Sequence, residues 1–262
     1  MLPIIDKPVV HFIVEEVVNS GIKDIIFITG RHKRAIEDYF DYSPELELAL
    51  LRKNKRKILN KIRSIANLAN FIYIRQKENK GSGDAILQAE KLVKNEPFAV
   101  LFGDDIVLSK KPALLQLIEK FEKYEECIIA LCKMPKKDLK NYGVVKGIKI
   151  DKNLYEIKDI VEKPKPSKAP SNLAVIGKYI LIPEIFDELK KINKKGELEL
   201  TDALRNILKK RKIYGVEIEG KRYDCGSKIG FVKAIIDFSL NHPEIGKEIR
   251  KYITKGRTKS SA

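Results

Sequence analysis

The stretch Phe98-Ala-Val-Leu-Phe-Gly-Asp-Asp-Ile106 decides the fold. Five apolar residues in a row read as a strand buried on both faces, and such strands belong to sheets covered by helices. Gly103 ends the run, and Asp104 and Asp105 stand at its carboxyl end, where ligands bind in open parallel sheets. Working outward, a similar buried strand is predicted at 25–29 and a further strand at 71–75. Around these strands the apolar spacing turns helical. The first helix is predicted from about residue 6, with Asp6 as a cap, Pro8 in the first turn and Gly21 as the stop. Others are predicted over 34–40, about 44–69, 84–92 and 112–124. This alternation predicts an α/β fold with parallel strands. Beyond Cys127 the chain is richer in strands, at 128–132, 143–150, 154–162 and 173–181, before helices at 183–190 and 201–210. A strand near 216–219 and a helix over 229–241 come last. The expectation is one domain over 1–255 and a disordered tail over 256–262.

Composition bounds the function. With 262 residues and 44% hydrophobic content the chain can bury a real core, which excludes disordered, collagen-like and disulfide-scaffold classes. No apolar run approaches the roughly 20 residues of a membrane span. Cys127, Cys132 and Cys225 form no C-x-x-C pair, which suits a reduced, cytoplasmic chain without structural zinc. If 127–132 is a strand, the odd spacing puts its two cysteines on opposite faces. The net charge of +16 reads first as an Ile- and Lys-rich background, because the bases are spread along the chain among acids. Its densest stretch, 51–63, reads as an amphipathic helix with a solvated cationic face, and no aromatic residue interrupts it to stack bases. Neither a nucleic acid nor a membrane is expected as a partner.

Four local motifs carry chemistry. The first is Gly103-Asp-Asp105, whose paired carboxylates suit Mg²⁺, a hard ion that shares its shell with substrate phosphates; the same acids also suit a capped turn. The second is Gln76-Lys-Glu-Asn-Lys-Gly-Ser-Gly-Asp-Ala85, a strand-to-helix connection in which Gly81 and Gly83 let backbone amides approach a ligand and Gln76 can read a base edge. In the third, Val161-Glu-Lys-Pro164, Lys163 can neutralise a phosphate, or simply pair with Glu162. The fourth is Tyr223-Asp-Cys-Gly226, in which Asp224 can be a second oxygen ligand or a helix cap. His11, His32 and His242 fit no nucleophile-base spacing, and neither G-x-S-x-G nor the Walker pattern occurs.

In order, these motifs resemble the bacterial and archaeal UTP:glucose-1-phosphate uridylyltransferases, or UDP-glucose pyrophosphorylases. The resemblance includes Met1-Leu-Pro-Ile-Ile-Asp-Lys-Pro8, the helical insertion at 44–65, Gln76 with Gly81, Gly103-Asp-Asp105 and Tyr142-Gly-Val-Val145. It continues through Val161-Glu-Lys-Pro164, Ala169-Pro-Ser-Asn-Leu-Ala174, Gly177-Lys-Tyr179, Gly196-Glu-Leu-Glu-Leu-Thr-Asp-Ala203 and Asp224-Cys-Gly226, and covers residues 1 to about 252. It implies a Rossmann-like nucleotidyltransferase fold, a mixed, mostly parallel sheet with flanking helices. The implied substrates are UTP and glucose 1-phosphate, the implied cofactor is Mg²⁺, and a homo-oligomer is a possible assembly. By the same resemblance Asp104 and Asp224 hold the metal, Gln76 and Gly81 contact uracil and Asp105 supports the nucleotide site. Gly143, Glu162, Lys163 and Gly177 line the sugar-phosphate side, with Lys163 and Asp104 as catalytic groups.

One departure accompanies the matches. In the family, the counterpart of Met1-Leu-Pro3 is preceded by a first strand and a G-x-G-T-R loop that grips the triphosphate, and neither lies ahead of Met1 in this sequence. The expectation is therefore a fold with its first strand absent, unpaired sheet edges, and little or no uridylyltransferase activity from the 262 residues alone. A start assigned at an internal methionine of a longer frame is the favoured explanation, a shorter protein the other. The rival functions are a non-catalytic nucleotide-sugar-binding regulator, a thymidylyltransferase for another sugar 1-phosphate, and a nucleic-acid binder driven by charge.

Overall fold

The computed structural model describes residues 1–193 and 196–258. A two-residue hairpin, β1 (Pro3–Ile4) and β2 (Lys7–Pro8), leads into α1 (Val9–Asn19) and β3 (Asp24–Thr29). The helices α2 (Arg34–Phe40), α3 (Pro44–Arg52) and α4 (Arg56–Ala66) precede β4 (Asn70–Arg75), followed by α5 (Ser82–Gln88) and α6 (Glu90–Val93). Next come β5 (Phe98–Leu101), β6 (Asp105–Leu108), α7 (Ala113–Tyr124), β7 (Cys127–Lys133), β8 (Val144–Asp151), β9 (Leu154–Val161) and β10 (Leu173–Leu181). The chain closes with α8 (Glu184–Lys191), α9 (Leu200–Leu208), β11 (Ile213–Glu217), β12 (Lys221–Asp224), α10 (Lys228–Asn241) and α11 (Gly246–Thr258).

Six strands form the main sheet in the order β5-β10-β7-β11-β9-β8. It is mixed, as expected, but β10 runs back between β5 and β7, so most neighbouring pairs are antiparallel; the parallel pairs are β7 with β11 and, in a separate ribbon, β3 with β4. Among the described residues β3 pairs only with β4 and β5 only with β10. The two pieces still share an apolar layer, because Ile25 of β3 packs in one cluster with Ala99 and Leu101 of β5.

The two faces of β7 show what holds the helices on. Cys127, Ile129 and Leu131 join the cluster that receives α8 and α9, while Ile128 and Ala130 join the one that receives α7. Successive strand residues point to opposite faces, so an unbroken apolar run packs both layers. Cys127 and Cys132 lie on opposite faces for the same reason.

The helix predicted over 84–92 is divided at Ala89 into α5 and α6, and two further expectations differ in the structure. The span 44–69 is broken into α3 and α4 at Asn54, whose φ of +51° is a left-handed conformation that asparagine tolerates. The two halves fold against each other and are tied by Arg63 to Glu47 at 2.8 Å. Helical apolar spacing carried on through the break, so periodicity alone did not reveal it. At the other end, α11 extends through Thr258 where a disordered tail was expected from 256; residues 259–262 lie outside the described residues. Among the described residues no helix is long and apolar enough to cross a membrane.

A charged pair is buried beneath the sheet. Lys178 on β10 is 0% exposed, and its Nζ donates to Glu16 Oε2 of α1 at 2.9 Å and to the Asp105 carbonyl at 3.0 Å. The other Glu16 oxygen accepts the Leu114 N–H at 2.9 Å, so each end of the pair is satisfied. Removing one partner would leave an uncompensated charge. Lys178→Met is therefore expected to lower unfolding free energy in urea by about 3–5 kcal/mol. Glu16→Gln added to it should restore part of that loss.

Candidate active site

Strand pairing brings the acidic motifs together. β6 and β12 run antiparallel with Asp105 opposite Asp224, and the Cys225 N–H donates to the Asp104 carbonyl at 2.7 Å. The point where a Cβ on Gly226 would sit is 2.6 Å from Asp104 Oδ2 and 3.2 Å from Asp224 Oδ1, so both carboxylates converge on a place only glycine leaves open. Asp224 is held on both oxygens, by the Tyr142 hydroxyl at 2.6 Å and by the Gly226 N–H at 3.0 Å. Desolvation, then the like charges of Asp224 and Asp105, raise the Asp104 carboxyl above the ordinary aspartate range. Two hard, mutually repelling oxygen donors fit a divalent cation that completes its shell from substrate phosphates. Among the described residues no three His, Cys, Asp or Glu side chains converge on a common point, so the protein would supply only part of that shell.

Asp105, expected on the nucleotide side, is 3% exposed and fully engaged. Arg222 grips it with Nε at 2.9 Å and Nη2 at 2.6 Å, and the Gly177 N–H donates to its Oδ2 at 3.0 Å. Gly177, expected on the sugar side, is also buried, and its carbonyl accepts the Phe102 N–H at 2.7 Å. Both residues brace the site from below. The Arg222 Nη1 also donates to the Tyr142 hydroxyl at 3.2 Å, so the bracing reaches Asp224 through Tyr142. Burial pulls the Arg222 pKa down, but the bonds and charge of Asp105 outweigh it and the net shift is upward. Sequence reasoning missed Arg222 and the Tyr142 hydroxyl. Tyr142 stood in a quoted motif, and Arg222 only two residues before Asp224, without a pattern of its own.

The remaining residues form a continuous wall. Gly143 and Glu162 flank the Val144–Val161 pair at the open end of the β8–β9 hairpin. A Cβ on Gly143 would lie 3.3 Å from Glu162 Oε2, which also accepts the Thr201 hydroxyl at 2.7 Å. Lys163, at φ +43°, turns its Nζ to within 3.4 Å of Glu162 and 3.6 Å of Glu199. Partial burial lowers the Lys163 pKa, but Glu162, Glu199 and Glu197 overcome this and hold it raised, hence charged. Glu199 then accepts the Ser82 hydroxyl at 2.8 Å, next to Gly81. Gly81 has φ +100°, and a Cβ there would meet the Leu198 carbonyl oxygen at 2.5 Å, so no other residue fits. Gln76 donates through Nε2 to Asp84 Oδ2 at 2.7 Å, which leaves its Oε1 as the acceptor for a ligand. Glu199 and Thr201 were also missed as site residues, although their motif was noted.

A family model described as nucleotidyl transferase matches residues 1–256. The UTP–glucose-1-phosphate uridylyltransferase of Staphylococcus epidermidis RP62A is 46% identical over 255 residues, covering 97% of this chain and 88% of that protein. The enzyme of the same name from Bacillus subtilis strain 168 is 44% identical over 251 residues, covering 95% and 86%. A crystal structure of UDP-glucose pyrophosphorylase complexed with UDP-glucose superposes with a TM-score of 0.84 at 42% identity, covering 92% of this chain and 90% of that one. UTP-bound UGPase from Acinetobacter baumannii gives a TM-score of 0.91 at 32% identity, covering 97% and 90%.

The raised Asp104 pKa has a signed consequence for stability. The folded chain holds that proton more tightly than the unfolded one, so the ionised carboxylate costs stability above its folded pKa and the cost fades as pH falls through it. Asp104→Asn is expected to raise the thermal midpoint at pH 7 by about 1–3 °C. The gain should shrink toward zero as the pH falls toward the ordinary aspartate pKa. Divalent cations should stabilise the parent chain and not the variant, read by calorimetry with and without metal.

Proposed function

The chain belongs to the nucleotidyl transferase family, and from that premise we propose how its residues serve the formation of UDP-glucose and pyrophosphate from UTP and glucose 1-phosphate. The observation that carries the assignment of roles is the convergence of Asp104 and Asp224 on Gly226, next to a wall that runs from Lys163 through Glu199 and Ser82 to Gly81. Enzymes of this family use a divalent metal, and the two hard carboxylates favour Mg²⁺. Asp104 and Asp224 would hold the ion, and bound there it would supply positive charge against the negative charge of the substrate phosphates.

The chain's own groups bind and orient. The Gln76 Oε1 accepts the N–H of a uracil edge while the Gly81 N–H donates to a ring carbonyl. Glu162, braced by Thr201, accepts from glucose hydroxyls, and Gly143 lets the ring approach the sheet end. A sugar-phosphate oxygen then attacks the α-phosphorus in line. The new O–P bond forms as the bond to pyrophosphate breaks, and the electron pair leaves with pyrophosphate. Lys163, kept charged by its glutamates, counters the negative charge gathered on the phosphates. No protein nucleophile is required. Cys225, between Asp224 and Gly226, is pushed up to about 11 by burial and the neighbouring aspartates, so it stays a neutral thiol.

Titration calorimetry with the full chain is the direct test. UDP-glucose is expected to bind, with Glu162→Ala and Lys163→Met each weakening it by about tenfold or more, the loss of a charge-assisted contact. UTP should bind more tightly with Mg²⁺ than without it, and Asp104→Asn and Asp224→Asn should each remove about tenfold or more of that gain, the scale of losing a charge-assisted contact. Failure to bind either UDP-glucose or UTP in the presence of metal would sink the reading.

A further inference from the structure

On the ribbon of β3 and β4, outside the site described above, lies a second cavity with its own chemistry. The turn after β3 runs Thr29-Gly-Arg-His-Lys-Arg34, and with Arg75 at the end of β4 it borders an open cleft of about 420 Å³ in which the three arginines are solvent-exposed. Arg31, His32, Arg34 and Arg75 line this space, with Glu37 the one acid among the lining residues. The sequence uses arginine sparingly, 11 against 41 lysines, which makes three around one cavity a concentration that background charge does not explain.

Most arginines elsewhere in the described residues are engaged. Arg63, Arg205, Arg211 and Arg222 are paired with carboxylates, and Arg250 with the Leu240 carbonyl, while Arg52 and Arg56 are unpaired like the cavity arginines but do not line the cavity. The side chains of Arg31, Arg34 and Arg75 make no ion pair or hydrogen bond among the described residues, and Glu37 pairs with none of them. Unengaged guanidinium forks around a cavity of small-molecule size match the tetrahedral oxygens of a phosphate. The cavity is separate from the wall of the candidate active site. Gln76 turns to Asp84 and Gly81, and neither they nor Asp104, Asp224, Glu162 or Lys163 line it. The link between the two is short, since the Gln76 N–H donates to the Thr29 carbonyl at 2.9 Å and Arg75 directly precedes Gln76.

We propose that the cavity walled by Arg31, Arg34 and Arg75 binds a small phosphate-bearing anion at a site separate from the one that takes UTP and glucose 1-phosphate. The chemistry is shared by a free phosphorylated metabolite and by the triphosphate tail of UTP, and the proposal commits to the first. The probe is inorganic phosphate, titrated calorimetrically into the full chain, its Arg34→Ala/Arg75→Ala and Arg34→Lys/Arg75→Lys variants, and a Lys53→Ala/Lys55→Ala control that removes equal charge elsewhere. The alanine pair is expected to weaken phosphate binding about tenfold or more and the lysine pair by a smaller factor, since lysine keeps the charge but loses the fork. The control should change it less than about twofold, as distant surface charges are screened. Saturating UTP should leave phosphate binding in place. Equal loss in the control, displacement of phosphate by UTP, or no binding at about 10 mM phosphate, where even a contact of about 3 kcal/mol would register, would each overturn the proposal. The arginine arms decide it whether or not the chain binds UTP.

Discussion

Arg222 and Asp105 form a buried, forked ion pair, and most of the candidate site is referred to it. A carboxylate that is 3% exposed is tolerable only with its oxygens satisfied, and here the guanidinium and the Gly177 N–H satisfy them. Because Asp105 begins β6, Arg222 lies on β12 and Gly177 on β10, the pair pins three strands to one another. The same arginine reaches Tyr142, whose hydroxyl holds Asp224, so the metal-binding carboxylate proposed here inherits its position from a buried charge pair.

Below that pair, Lys178 and Glu16 extend the charged network to α1. Glu16 pairs with Lys178, whose Nζ also donates to the Asp105 backbone carbonyl, and the Asp105 carboxylate pairs with Arg222, so two ion pairs are joined through one residue. Asp104 and Asp224 are the contrast. Their carboxylates converge near Gly226, and burial first, then the like charges of Asp224 and Asp105, raise the Asp104 pKa. Cationic surplus follows the same division: most of the +16 is solvated, while Lys163 is held charged by glutamates and the arginines near Gly30 meet no acid.

Much of this was legible from local pattern. The buried runs at 25–29 and 98–102, the acids after Gly103, and the Gln76-to-Gly81 loop each announce themselves within ten residues. Asn54 did not, because a left-handed residue interrupts backbone without interrupting apolar spacing. The short hairpin at Pro3 and Lys7 and the pairing of β6 with β12 were equally hidden, since two to four residues carry too little periodicity to read. Arg222 had no motif to mark it, and which of the adjacent carboxylates Asp104 and Asp105 is buried cannot be read from their sequence.

By itself the sequence determined the α/β class, the family its motifs resemble, and the residue types available at each strand end, because these rest on spacing along the chain. Only the tertiary structure decided which of those groups meet. Asp104 and Asp224 are 120 positions apart and converge because β6 and β12 pair in one register. Two neighbours in sequence, Asp104 and Asp105, part company because successive residues at a strand start point to opposite sides, one toward solvent and one toward Arg222. Register and burial are properties of strands meeting across long separations, and no local pattern encodes them.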